Sequence, residues 1–170
     1  MVIVLMGVTG TGKTTVGQAL AQAMHCEFAD ADDSHSPENR AKMHAGIPLT
    51  DGDRGPWLRS LHRQIETWLA EGVDAVLACS ALKKSYRAEL ANGLTPDSIR
   101  FVYLTGPEPV IQARLDSRQG HYMPASLLGS QIADLEPPTD AIAVSITQTV
   151  PAIVQEILGA LALEGYAGKE

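Results

Sequence analysis

The chain has 170 residues, 45% of them hydrophobic, which suits one compact domain with a buried core. Its formal net charge of −7 lacks the overall basic footprint of a nucleic-acid binder. No apolar run approaches the roughly 20 residues that would span a bilayer.

Residues 2–6 are apolar throughout and predict a first strand buried on both faces of a sheet. The run is too short for a signal peptide, lacks a basic flank and leads straight into a glycine loop. Residues 13–24 predict a helix and 27–30 a second strand. Cys26 and Cys79 lie in apolar stretches without CxxC spacing, which predicts buried thiols in a reducing cytoplasm rather than a metal site or redox pair. Ser36-Pro37 reads as an N-cap with proline at the first helical position, opening a helix to about residue 45. A longer helix starts near Asp53, capped by Asp51 or Asp53; Leu58, Leu61, Ile65, Trp68 and Leu69 give it one apolar stripe.

Further strands are predicted at 73–79, 99–105 and 142–146, and further helices at 82–91, 107–118 and 150–163. Residues 120–131 lack clear periodicity and carry Gly120, Pro124 and Gly129, which makes them the candidate for a mobile lid. Strands alternating with helices predict an α/β domain spanning 1–170, with a parallel five-stranded sheet flanked by helices and a lid segment at about 118–135.

Gly7-Val8-Thr9-Gly10-Thr11-Gly12-Lys13-Thr14 matches G-x-x-x-x-G-K-[ST], with an apolar strand before it and a helix after it. Glycines let the backbone curl so that N–H groups face phosphate oxygens, and the helix N-terminus adds partial positive charge. Lys13 then reaches the β- and γ-phosphates of ATP, and the Thr14 hydroxyl ligates Mg²⁺. The chain has no N-K-x-D guanine signature and is short for an ATPase machine, which favours a small-molecule kinase.

Asp30-Ala31-Asp32-Asp33-Ser34-His35 follows the second strand, on the strand edge that also carries the phosphate loop. Carboxylates there can hold magnesium through water or accept a hydroxyl proton; an acidic capping turn is the alternative. Arg54 falls in the first turn of a helix, where a cation opposes the dipole. Lys83, Lys84 and Arg87 open another helix with the same mismatch. An anionic ligand would explain these positions, as would ordinary surface cations. Arg114 and Arg118 share one helix face leading into the lid candidate and could neutralise a transferring phosphoryl group.

Together these segments resemble the gluconate kinases of the small P-loop type. The matching pieces are MGVTGTGKTT at 6–15, DADDSH at 30–35, NRAKM at 39–43, GIPLTDGDRGPWL at 46–58, LACSALKKSYR at 77–87, VYLTG at 102–106, RLDSRQGHYM at 114–123 and LEPP at 135–138. The resemblance implies a nucleoside-monophosphate-kinase-like fold, a homodimer, and transfer of the γ-phosphoryl of ATP to the terminal hydroxyl of gluconate. It implies Lys13 and Asp32 as catalytic residues and residues 7–14 with Arg114 and Arg118 as the ATP site. Thr14 and Asp30 become the magnesium ligands, and Asp32, His35, Arg54, Ser80, Lys83 and His121 the acceptor contacts. Ser36, Thr50 and Thr147 stand where the family commonly has proline, asparagine and aspartate. The rival readings are another small-acid kinase of the shikimate type, whose family carries a glycine triplet where this chain has Cys79-Ser80-Ala81, and a nucleotide-dependent switch that transfers no phosphate.

Overall fold

The computed structural model describes residues 1–117 and 125–163. Five strands form one sheet in the order β2-β3-β1-β4-β5, with β1 at Val2–Met6, β2 at Glu27–Asp30, β3 at Ala75–Ala78, β4 at Ile99–Thr105 and β5 at Ile142–Ser145. Every pairing is parallel, and Val4 on β1 lies opposite Leu77 on one side and Phe101 on the other. β1 is buried at all five positions, as expected of a central strand covered on both faces.

The helices are α1 (Lys13–Met24), α2 (Pro37–His44), α3 (Asp51–Ala70), α4 (Lys84–Leu90), α5 (Glu108–Asp116), α6 (Ala125–Asp134) and α7 (Val150–Leu163). Two apolar cores flank the sheet. On one face Ile3 and Leu5 meet Val16 and Leu20 of α1, Ile111 of α5, Leu128 of α6 and Ile153 and Ile157 of α7. On the other, Val2, Val4 and Met6 meet Trp57, Leu58, Leu61 and Ile65 of α3 and Tyr86 and Leu90 of α4. Alternate residues of one strand therefore feed two separate cores.

Three expectations are corrected. The cap of α3 is Thr50, not an aspartate. Its hydroxyl accepts from Asp53 N at 3.2 Å, while the Asp53 carboxylate accepts from Thr50 N at 2.9 Å, a capping box. Thr50 in place of asparagine is thus an exchange between cap-forming side chains, and Ser36 caps α2, its hydroxyl accepting from Asn39 N at 3.2 Å. Residues 125–134 are helical where no helix was predicted. Leu128, Ile132 and Leu135 recur at i, i+4 and i+7 and pack on the core, but Gly129 dilutes the pattern. Of the two thiols only Cys79 is buried, its pKa pushed up to about 12 by that burial; Cys26 is half-buried, and burial raises its pKa to about 11.

Candidate active site

The phosphate loop bridges β1 and α1. Gly7 adopts φ 142°, and a Cβ there would stand 2.6 Å from the Leu104 carbonyl oxygen, so glycine is required by both torsion and space. α1 starts at Gly12 without a side-chain cap and without acidic residues in its first turn. Its N-terminal donors are thus left to a phosphate-sized anion, with no side-chain cap competing for them. The Lys13 ammonium donates to the carbonyls of Gly7 and Val8 at 3.0 and 3.1 Å, which folds it over the loop. Val8 also accepts the Thr11 hydroxyl at 2.9 Å, and Thr9 N donates to Gln131 Oε1 at 2.7 Å. Arg114 reaches the loop from α5, with Nη2 donating to Ile146 O at 2.5 Å and Nη1 to Thr11 O at 3.5 Å.

Thr14 donates its hydroxyl to Asp30 Oδ2 at 2.6 Å, and the other oxygen of Asp30 accepts from Asp32 N at 3.1 Å. The end of β2 is thereby tied to the start of α1. Asp32 follows in a single 3₁₀ turn, Ala31–Ser34. Its side chain is 56% open and lines a pocket beside the loop. Enclosure there raises its pKa, the Lys13 charge opposes the shift, and Asp30 and Asp33 add to it.

A pocket beside the loop is lined by Asp32, His35, Arg54, Trp57, Ser80, Tyr86 and Gln131, with Met43, Ile47 and Leu49 as apolar wall. His35 stacks on Trp57 with centroids 4.2 Å apart, and Trp57 Nε1 donates to Ala31 O at 2.9 Å. His35 Nδ1 is buried without a hydrogen-bond partner. Burial, then the charges of Arg54 and Arg40, lower the His35 pKa to about 4, so the ring is neutral at pH 7.

Arg54, 15% exposed, donates to the Tyr86 hydroxyl at 2.9 Å and to Asp134 Oδ2 at 3.2 Å. Lys83 lies 2.9 Å from Asp51 and 3.6 Å from Asp134, and the Tyr86 hydroxyl donates to Asp51. Lys83 has its pKa raised, chiefly by its hydrogen bond to Asp51, while Asp51 is lowered by Tyr86 and then Lys83. Ser80 follows β3, and its carbonyl accepts from Gly7 N at 3.3 Å. Ala81 next to it holds φ 42°, the left-handed region that side chains rarely enter.

The structure therefore gathers the loop, Asp30, Asp32, His35, Arg54, Ser80 and Lys83 around one crevice. Arg118 and His121 lie outside the described residues. One inference from local charge is corrected. Arg87 is buried and donates to the carbonyls of Ala81 and Leu82 at 3.1 and 3.0 Å, clamping the bend that carries Ser80. Lys84 is engaged through its backbone, N donating to Glu136 Oε2 at 2.5 Å. Sequence reasoning missed Tyr86, Gln131 and Asp134. The latter two fell in the segment read as a lid, and only their three-residue spacing on a helix hints that they share a face.

A family model described as AAA domain matches residues 2–138. A probable gluconokinase of Xenopus tropicalis is 45% identical, with 94% of this chain and 92% of the relative covered. A crystal structure of a gluconokinase from Sinorhizobium meliloti is 44% identical and superposes with a TM-score of 0.84, covering 95% of this chain and 91% of the other. An unliganded sugar kinase from a Janibacter species is 46% identical with a TM-score of 0.88, covering 95% and 94%. A shikimate kinase from Aquifex aeolicus, at 21% identity, covers 97% of each chain with a TM-score of 0.55 and shares the fold alone.

Proposed function

Because this chain belongs to the gluconokinase family, we propose that it transfers the γ-phosphoryl group of ATP to the terminal hydroxyl of gluconate, giving 6-phosphogluconate and ADP. The observation that carries this reading is the pocket itself. Asp32, tied through Asp30 to Thr14 of the loop, and Arg54 of α3 both line it. A hydroxy acid fits such a site, with a cation for its carboxylate and a carboxylate for its reacting hydroxyl.

Loop amides 7–14 and Lys13 cradle the ATP phosphates, and Arg114 covers them from α5. The acceptor oxygen forms a bond to the γ-phosphorus as the bond to the β–γ bridging oxygen breaks, and ADP leaves. Asp32 orients the hydroxyl and takes its proton, a task that its raised pKa suits. Ser80 and Lys83 contact the acceptor beside Arg54. Neutral His35 offers its unpartnered Nδ1 to an acceptor hydroxyl. His121 and Arg118 complete the proposed acceptor and ATP contacts respectively. The Thr14 hydroxyl and the Asp30 carboxylate, already 2.6 Å apart, are hard oxygen donors that fit Mg²⁺, Asp30 through water. The ion would neutralise charge on the β- and γ-phosphates.

The proposal treats 1–170 as one kinase domain acting as a homodimer, a state that sedimentation tests. A cytoplasmic location is supported by two thiols that form no disulfide, and no helix among the described residues is long and apolar enough to cross a membrane. The deciding experiment measures ADP release from ATP–Mg²⁺ with and without gluconate, with ³¹P NMR to identify the product. Release that ignores gluconate favours a nucleotide switch.

A further inference from the structure

Gln131 and Asp134 stand three residues apart at the end of α6, on one helix face, and each contacts a different half of the crevice. Gln131 Oε1 accepts from Thr9 N, a phosphate-loop amide, at 2.7 Å. Asp134 places one oxygen 3.2 Å from Arg54 and the other 3.6 Å from Lys83. An amide oxygen thus sits where the loop presents a donor for a phosphate oxygen, and a carboxylate sits between the two cations assigned to an acceptor carboxylate.

We propose that Gln131 and Asp134 are internal mimics of the two substrates, so that either substrate, by displacing its mimic, frees the helix end and favours the other. The proposal rests on the acceptor assignment above. Gluconate must exchange its carboxylate for that of Asp134, and ATP must take the Thr9 amide from Gln131. Leu127 and Leu128 are buried and keep the first half of α6 seated, so release means a shift of the last turn against Ile132 and Leu135, which pack on the core only in part. Once one contact is broken, the second mimic is held less firmly. By linkage the effect is the same in both directions.

Isothermal titration tests this. In the wild type, a non-hydrolysable ATP analogue with Mg²⁺ should tighten gluconate binding roughly 5-fold or more, and gluconate should tighten the analogue by the same factor. Asp134→Asn should bind gluconate more tightly in the absence of nucleotide, and Gln131→Ala should bind the analogue more tightly in the absence of gluconate. In both variants the coupling factor should fall toward one. A variant that merely unfolds more readily would keep its coupling factor. Independent binding in the wild type, or Asp134→Asn weakening gluconate because the carboxylate positions Arg54, overturns the proposal. Failure of the acceptor assignment is seen separately: gluconate then gives no binding and no turnover in the wild type, and tighter analogue binding by Gln131→Ala still reports on the nucleotide half.

Discussion

Arg54 Nη1 donates to the Tyr86 hydroxyl at 2.9 Å, joining the first turns of α3 and α4 at the wall of the acceptor pocket. The guanidinium carbon also lies 5.4 Å from the Tyr86 ring centroid, and the Lys83 ammonium 5.5 Å. One aromatic ring therefore orients both cations proposed to read the acceptor.

A cation fixed in this way should read the acceptor carboxylate. Arg54→Ala is expected to lower kcat/KM for gluconate by roughly 10- to 100-fold or more while leaving KM for ATP nearly unchanged. Glucose offers the same terminal hydroxyl without the carboxylate and should be a poor substrate of the wild type. Steady-state kinetics with both acceptors decides; efficient glucose phosphorylation, or a variant weakened only toward ATP, would sink this map of the site.

Asp32 should act on turnover rather than binding. Asp32→Asn is expected to lower kcat by orders of magnitude with little change in gluconate affinity. Because the folded pKa of Asp32 is raised, a larger share of the carboxyl is protonated as pH falls, and an unassisted hydroxyl then attacks poorly. Wild-type kcat should therefore show an acidic limb above the usual aspartate range. If the residual activity of Asp32→Asn retains that limb, the limb belongs to another group.

Arg87 is a structural clamp. Arg87→Ala leaves the Ala81 carbonyl without its donor in a buried setting and takes one of two donors from the Leu82 carbonyl, which also accepts from Glu136 N at 3.0 Å, at a cost of about 1–3 kcal/mol. The midpoint of urea denaturation should fall accordingly. An unchanged midpoint would show that the bend at Ala81 holds itself.

His35 makes stability depend on pH. Its folded pKa of about 4 lies below the usual histidine value of 6.5, so between those values the unfolded chain binds more protons. The contribution is complete above the unfolded value and is lost as pH falls toward the folded one. Between pH 7.5 and 5 the wild type should lose up to about 2 kcal/mol more than His35→Phe, which keeps a ring against Trp57. Parallel urea titrations at the two pH values measure the difference; equal losses would mean that His35 is protonated in the fold.

Whatever rests on local pattern was legible in the chain before any packing was known. A loop whose backbone makes the site, preceded by an apolar strand and followed by a helix, can be read because its chemistry lies in consecutive residues 7–14. Three of the five strands, β1, β2 and β4, keep their predicted bounds. The motif matches at 46–58 and 77–87 likewise put Arg54, Ser80 and Lys83 forward as acceptor contacts, and the structure brings the three to one crevice. Which charges meet was settled by the packing of distant elements. Arg54 and Lys83 look unpaired along the chain because the carboxylate they share, Asp134, arrives from a helix whose apolar pattern Gly129 obscures, and the nearer partner of Lys83, Asp51, arrives from α3. Arg87 reads as a surface cation until the bend at Ala81 turns two carbonyls toward it. Periodicity reports which face of an element is buried, but the partner of a buried charge depends on how separate elements are stacked, and that is fixed by packing across the whole sheet.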